Sequence, residues 1–139
     1  MPVMDGINAL REIRKWEEEN IIEYWGHKEK MSSILSLATV IVLPSYREGF
    51  PKVLMEAAAC GRPTVTTDTP GCRDAIIPNK TGYLAKNKDH KDLAKKIEML
   101  ILDQKKLFEF SQNSISYAFK NFDILQVNKK HFEIYNIFI

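Results

Sequence analysis

An α/β fold with a mostly parallel sheet is predicted by three features of the sequence. Short β-branched runs alternate with segments of helical period along the chain. The run Thr39-Val40-Ile41-Val42-Leu43 is continuously apolar or β-branched rather than alternating. Such a run suits a strand buried on both faces, as in a parallel sheet. The composition, 45% hydrophobic and 27% charged over 139 residues, allows one domain with a core and a soluble surface.

Each element has its own signal. Asn8 to Glu19 places Leu10, Ile13 and Trp16 at three-residue intervals, which predicts one helical face. Ile21 to Trp25 reads as a short strand stopped by Gly26. Lys28 to Leu37 reads as a second helix, with Met31, Ile34 and Leu35 inward. The Thr39 to Leu43 strand ends at Pro44. Pro51 to Cys60 reads as a helix whose proline sits at the first position, where no donor is needed, and Gly61 stands where a C-terminal capping glycine belongs. Pro63 to Thr67 is another β-branched strand, and Thr69 to Ile77 carries Pro70, Gly71 and a short helical turn. Asn79 to Gly82 turns the chain into a strand at Tyr83 to Ala85. Asp89 caps a helix running to Leu102, with Leu93, Ile97, Leu100 and Ile101 as its apolar stripe. Gln104 to Lys120 and Ile124 to Ile137 read as the last helices, with Phe132, Tyr135 and Phe138 as a core or docking stripe.

Several function classes fall away. Twenty Lys and Arg against eighteen Asp and Glu leave a net charge of +2, too even for a nucleic-acid footprint. Cys60 and Cys72 cannot form a disulfide framework, and with three scattered histidines they make no metal-ligand spacing. They read as packed or half-buried thiols in a reducing compartment. The longest nearly apolar stretch, Ile34 to Pro44, is too short to span a bilayer. No signal-peptide core opens the chain.

The chemistry is concentrated between Ser45 and Glu56. Ser45-Tyr46-Arg47-Glu48-Gly49-Phe50-Pro51 follows a predicted strand and opens a predicted helix, at the carboxyl ends of the strands where open α/β sheets bind ligands. The helix start presents unpaired N–H groups from Lys52 and Val53 and the positive end of its dipole, which suits a diphosphate. Glu56 lies among Leu54, Met55 and Ala57 to Ala59, where a carboxylate is costly unless something hydrogen-bonds to it. Sugar and ribose hydroxyls are suitable donors. The plainer alternative has Glu48 offsetting the helix dipole and Glu56 facing water. The combination with Gly49, Pro51, the preceding strand and the alanine-rich helix favours a ligand.

The run VIVLPSYREGFPKVLMEAAACGRPTVTTDTPGCRDAI, Val40 to Ile76, closely resembles the nucleotide-binding half of retaining, GT-B-fold glycosyltransferases of family 4. Their hallmark of two glutamates separated by seven residues corresponds to Glu48 and Glu56. The resemblance extends back to Ile21-Ile22-Glu23-Tyr24-Trp25-Gly26-His27 and forward through Asn79 to Leu84 and the helix from Asp89. It implies a Rossmann-like, three-layer parallel sheet over residues 21–139, an incomplete GT-B C-terminal domain. Position by position it implies that Glu48 accepts hydroxyls of the transferred hexose, as the catalytic residue, with backbone around Gly49 and Phe50 lining the sugar pocket. Lys52 and Val53 would offer main-chain N–H groups to the diphosphate, Glu56 would hold the ribose, and Gly26 and His27 would lie near the base. Gly71 would belong to a loop beside the donor site, braced by Thr67 and Asp68. Arg47 reads as a phosphate-steering or plain surface residue, His90 and His131 as solvated, and Arg73 and Asp74 as forming local pairs.

The resemblance further implies a nucleotide diphosphate sugar, UDP-linked, as substrate, with no cofactor and no metal. The acceptor would be a glycan or a lipid-linked saccharide in bacterial surface-polysaccharide assembly, in the cytoplasm or at the inner face of the membrane through peripheral association. The wording lacks the family's acceptor domain and the first two strands of its nucleotide domain, so the isolated chain is expected to have negligible transferase activity. In the family's strand order, 3-2-1-4-5-6, those strands lie between the Ile21 and Val40 strands. A gap is therefore expected unless strands re-pair, or a complementing chain or second copy fills it. A second resemblance covers residues 1–20: Met1-Pro2-Val3-Met4-Asp5-Gly6 and the following helix are similar to the third loop and helix of response-regulator receiver domains. A fusion and a chance likeness are both open readings of it. A non-catalytic nucleotide-sugar-binding or docking module and a receiver-like interaction domain are the alternative functions.

Overall fold

Three short strands form a parallel sheet in the order in which they occur in the chain. The computed structural model describes Glu23 and residues 25–137. The predicted helix at Asn8 to Glu19 and the receiver-like segment 1–20 lie outside the described residues, as do Ile21, Ile22, Tyr24 and Phe138. Glu23 and Trp25, from the predicted Ile21 strand, are exposed and outside any strand.

The first elements are a short helix α1 (Met31–Leu35), strand β1 (Ile41–Leu43) and helix α2 (Lys52–Ala59). Strand β2 (Thr64–Thr67), helix α3 (Pro70–Asp74) and strand β3 (Gly82–Ala85) follow. Helices α4 (His90–Ile101), α5 (Gln104–Phe122) and α6 (Ile124–Ile137) complete the chain. The sheet order is β1-β2-β3, all parallel. Val42, Val65 and Tyr83 share one register row, and Leu43, Thr66 and Leu84 the next. Successive strand side chains point to opposite faces, so these rows face opposite layers of helices.

One layer is α4 with the first half of α5. Val65, Tyr83, Leu100, Leu107 and Phe110 form its buried cluster, with Val40, Leu93 and Ile97 packed against it. The rings of Tyr83 and Phe110 meet edge to face, with centroids 5.3 Å apart. The other layer is α2 and α3, where Leu54, Cys72, Ala75 and Ile76 are buried beside Leu43, Val53 and Leu84. Helix α5 links the two. After Phe110 it passes the strand starts, where the Ser114 hydroxyl donates to the Thr81 carbonyl, and its end reaches Phe50.

Helix α2 ends as the sequence predicts. Gly61 has φ +64°, its N–H donates to the Ala58 carbonyl, and the Arg62 N–H donates to the Ala57 carbonyl. This pair of reversed bonds satisfies carbonyls left free at the helix end, and the positive φ favours glycine. Asp89 caps α4 by accepting from the Lys91 and Asp92 N–H groups.

Several expectations are corrected. β1 is an edge strand among the described residues: Val42 is 38% exposed, because α4 and α5 cover β2 and β3 rather than β1. Pro51 stands just before α2 as its N-cap, not as its first helical residue. Met31 and Ile101 are exposed rather than inward, on the outer sides of α1 and α4. Phe132 and Tyr135 of α6 are also exposed, since α6 runs on beyond α5 without a covering layer among the described residues. No helix among the described residues is long and apolar enough to cross a membrane.

Candidate functional site

The carboxyl ends of all three strands open into one set of loops, tied together by side-chain to backbone bonds. The Thr66 hydroxyl donates to the Leu43 carbonyl at 2.8 Å, and the Thr67 hydroxyl donates to the Ser45 carbonyl. Threonines on the buried central strand thereby hold the segment leaving β1. The Asp68 N–H donates to the Ala85 carbonyl at 2.7 Å, continuing the pairing past the end of β2. On the far side, the Asn87 side-chain amide donates to the Tyr46 carbonyl at 3.3 Å. The Lys88 ammonium lies over the Tyr46 ring, 5.9 Å from its centroid, within the range of cation–π attraction.

Glu48 sits half-buried on this tethered loop and accepts a hydrogen bond from the Ser45 hydroxyl at 2.7 Å. One carboxylate oxygen is thus engaged, which orients the group. Gly49 follows, and Gly71 of α3 lies directly against it. A Cβ added to Gly71 would overlap the Gly49 carbonyl and come within 2.7 Å of the Glu48 carbonyl oxygen. Gly71 is buried and its φ is not in the left-handed region, so close backbone approach is what requires glycine here.

The chain then enters α2. No side chain caps its start, and the Leu54 N–H donates to the Pro51 carbonyl at 3.1 Å. The amides of Lys52 and Val53 therefore stand at an open helix terminus, where orphan donors and the dipole favour an anion. The Lys52 side chain is exposed beside them and Val53 is half-buried. Glu56 lies one turn further along α2 on the exposed side. It lines a cavity of about 340 Å³ together with Lys30, Ser32 and Cys60.

The predicted residues thus fall into two adjoining groups on α2. Glu48, Gly49 and Gly71 meet at the loop before it, and Glu56 faces α1 along its side. Phe50 is exposed on one side and lies edge to face against Phe122 on the other. Gly26 has φ +60° with open space beside it, and His27 is exposed. No hydrogen bond or ion pair joins these two to Glu56 among the described residues. Arg47 is exposed, as are His90 and His131. Cys72 is buried and Cys60 half-buried, both as free thiols.

One ion pair stands beside the crevice. Arg73 pairs with Asp68 at 2.6 Å rather than with its neighbour Asp74. Its guanidinium is held still more firmly protonated by that hydrogen bond and by the charge of Asp68. The pairing offsets a carboxylate that would otherwise stand bare at the end of β2. Away from the site, burial pushes the Tyr117 hydroxyl up from its ordinary range, with Asp74 adding to the effect.

Sequence reasoning did not find the Ser45 bond to Glu48, the Asn87 and Lys88 tether, or Phe122. The three-residue spacing of Ser45 and Glu48 was the one local signal available. The other partners come from distant parts of the chain.

Residues 9–117 match the family described as glycosyl transferases group 1, starting ahead of the boundary expected at residue 21, and the chain belongs to that family. It is 34% identical over 115 residues to the N,N'-diacetylbacillosaminyl-diphospho-undecaprenol alpha-1,3-N-acetylgalactosaminyltransferase of Campylobacter jejuni, covering 83% of this chain and 30% of that protein. Among solved structures, Anabaena HepE in complex with UDP superposes with a TM-score of 0.86 at 23% identity, covering 95% of this chain and 37% of HepE. The C-terminal domain of the Francisella tularensis group 1 glycosyl transferase LpcC gives a TM-score of 0.70 at 22% identity, over 89% of this chain and 66% of that one. These likenesses show that the fold of this chain matches part of GT-B glycosyltransferase structures. The chain spans about a third of the length of the Campylobacter and Anabaena proteins.

Proposed function

We propose that this chain is the donor-binding part of a glycosyltransferase, and that it holds a UDP-linked sugar at the start of α2. The parent enzyme moves a hexose or N-acetylhexosamine, with retention, to a glycan or lipid-linked acceptor in surface-polysaccharide assembly. The observation that carries this reading is the uncapped terminus of α2, with Glu48 on the tethered loop before it and Glu56 one turn in. The diphosphate lies against the Lys52 and Val53 amides, where the helix dipole offsets its charge without reorganisation during reaction. Glu48 accepts hydroxyls of the hexose, oriented by Ser45, while the Gly49 and Phe50 backbone lines the sugar pocket. Glu56 accepts the ribose hydroxyls from the cavity it shares with α1, and Gly26 and His27 lie toward the base. Gly71 keeps the sugar loop in register. The name of the Campylobacter relative carries a lipid-linked acceptor; with such an acceptor and a charged, water-soluble donor, this chain would work at the cytoplasmic face of a membrane through peripheral association.

Calorimetry separates the roles. UDP-hexose binds the unmutated chain. Glu48→Ala weakens UDP-hexose by about ten- to a hundred-fold, the span of one charge-assisted hydrogen bond, and leaves UDP unchanged. Glu56→Ala weakens both ligands by a similar factor. Equal affinities in all three proteins, or no binding to the unmutated chain, would count against the donor site.

A further inference from the structure

Phe122 is the last residue of α5, yet it touches the candidate site from behind. Its ring centroid lies 5.9 Å from that of Phe50 at an interplanar angle of 76°. On its other side it lies 5.1 Å from the Tyr117 ring at 80°. Both are edge-to-face arrangements, the favoured geometry of an aromatic pair. Tyr117 is itself fixed, because its hydroxyl donates to the Asp74 carbonyl at 3.1 Å. Asp74 ends α3, the same helix whose Gly71 presses on Gly49. The aromatic chain and the glycine contact thus converge on one loop from two directions. Phe50 is 45% exposed, so the core alone does not hold its ring. The backbone of Phe122 is anchored by the helix break beside it, where Asp123 accepts from the Leu125 N–H at 2.7 Å and starts α6.

We propose that Phe122 is a positioning residue for the loop Glu48 to Phe50, acting through the Phe50 ring on the hexose end of the donor. The inference rests on the donor-site reading above. Its effect is selective, because the hexose meets the loop before α2, whereas the diphosphate and ribose meet α2 itself.

Backbone relaxation and calorimetry on the full chain test it together. In the unmutated protein, order parameters of Gly49 and Phe50 should approach those of rigid backbone, about 0.85, and in Phe122→Ala they should fall below about 0.6. Val65 in β2 should be unchanged, and Phe122→Tyr should restore the loop. The preference for UDP-hexose over UDP should fall by about three- to ten-fold in Phe122→Ala, the span of one aromatic pair, and recover in Phe122→Tyr. Phe122→Leu, which keeps apolar bulk without a ring, gives a second variant with the same direction expected. An unchanged loop, or equal loosening at Val65, would overturn the positioning role, as would an unchanged preference. If the unmutated chain binds neither ligand, the donor-site reading fails and the relaxation result alone decides the claim about Phe122.

Discussion

Gly71 and Glu48 carry the local geometry of the site by different means. Gly71 works by lacking a side chain, since any Cβ there overlaps the Gly49 carbonyl. Gly71→Ala should therefore displace the Glu48 to Phe50 loop. It should lower stability by about 1–3 kcal/mol, the usual cost of overpacking, and weaken UDP-hexose more than UDP. Urea unfolding with parallel titrations checks this; an unchanged midpoint and affinity would refute it. Glu48 works through its carboxylate, with one oxygen already bonded to Ser45. At this scale much of the site was legible in the sequence. Glu48, Gly49, Lys52 and Glu56 lie within one short segment, and a strand followed by a helix dictates what its backbone offers. Phe122 was not legible, because nothing in its own neighbourhood distinguishes it from the other aromatics of α5. Only the crossing of α5 from one sheet face to the other brings it to Phe50.

Among the elements, caps and turns followed from local chemistry, while burial did not. Asp89 and Gly61 perform the terminal roles that their residue types predict. β1 differs. Its continuous apolar run reads as a strand covered on both faces, but position in the sheet decides burial, and β1 lies at the edge. Val65→Ala, at full burial, should cost about 2 kcal/mol, and Val42→Ala at the edge distinctly less. Chemical denaturation of the two variants checks the ranking. The α4 cap makes a pH-dependent contribution. Hydrogen bonds from the Asp92 N–H first, then the Lys91 N–H, hold the Asp89 carboxyl below its ordinary range. A carboxyl depressed on folding stabilises above its unfolded pKa, about 3.9, and that stabilisation is lost as pH falls through the lower folded value. The difference in Tm between the unmutated chain and Asp89→Asn should therefore shrink from pH 7 to pH 3. A constant difference would remove the charge from the account.

For the molecule as a whole, the open crevice sets the limit on function. A transferase site must exclude water and place an acceptor against the donor, and on the donor-site proposal the described residues supply one wall of such a site. The 139-residue chain alone should accordingly bind donor yet show negligible multi-turnover sugar transfer. A radiolabelled-sugar assay with added acceptor glycans checks this, and sustained transfer would contradict it. The central claim, that the start of α2 is the diphosphate site, is tested most directly by titrating UDP into the isotopically labelled chain and following its backbone amides. The largest shifts are expected at Lys52 and Val53, with further shifts along Glu56 and α1 and none at Lys80, which precedes β3 at the amino ends of the strands. Shifts that avoid the start of α2, or no shifts at all, would contradict it.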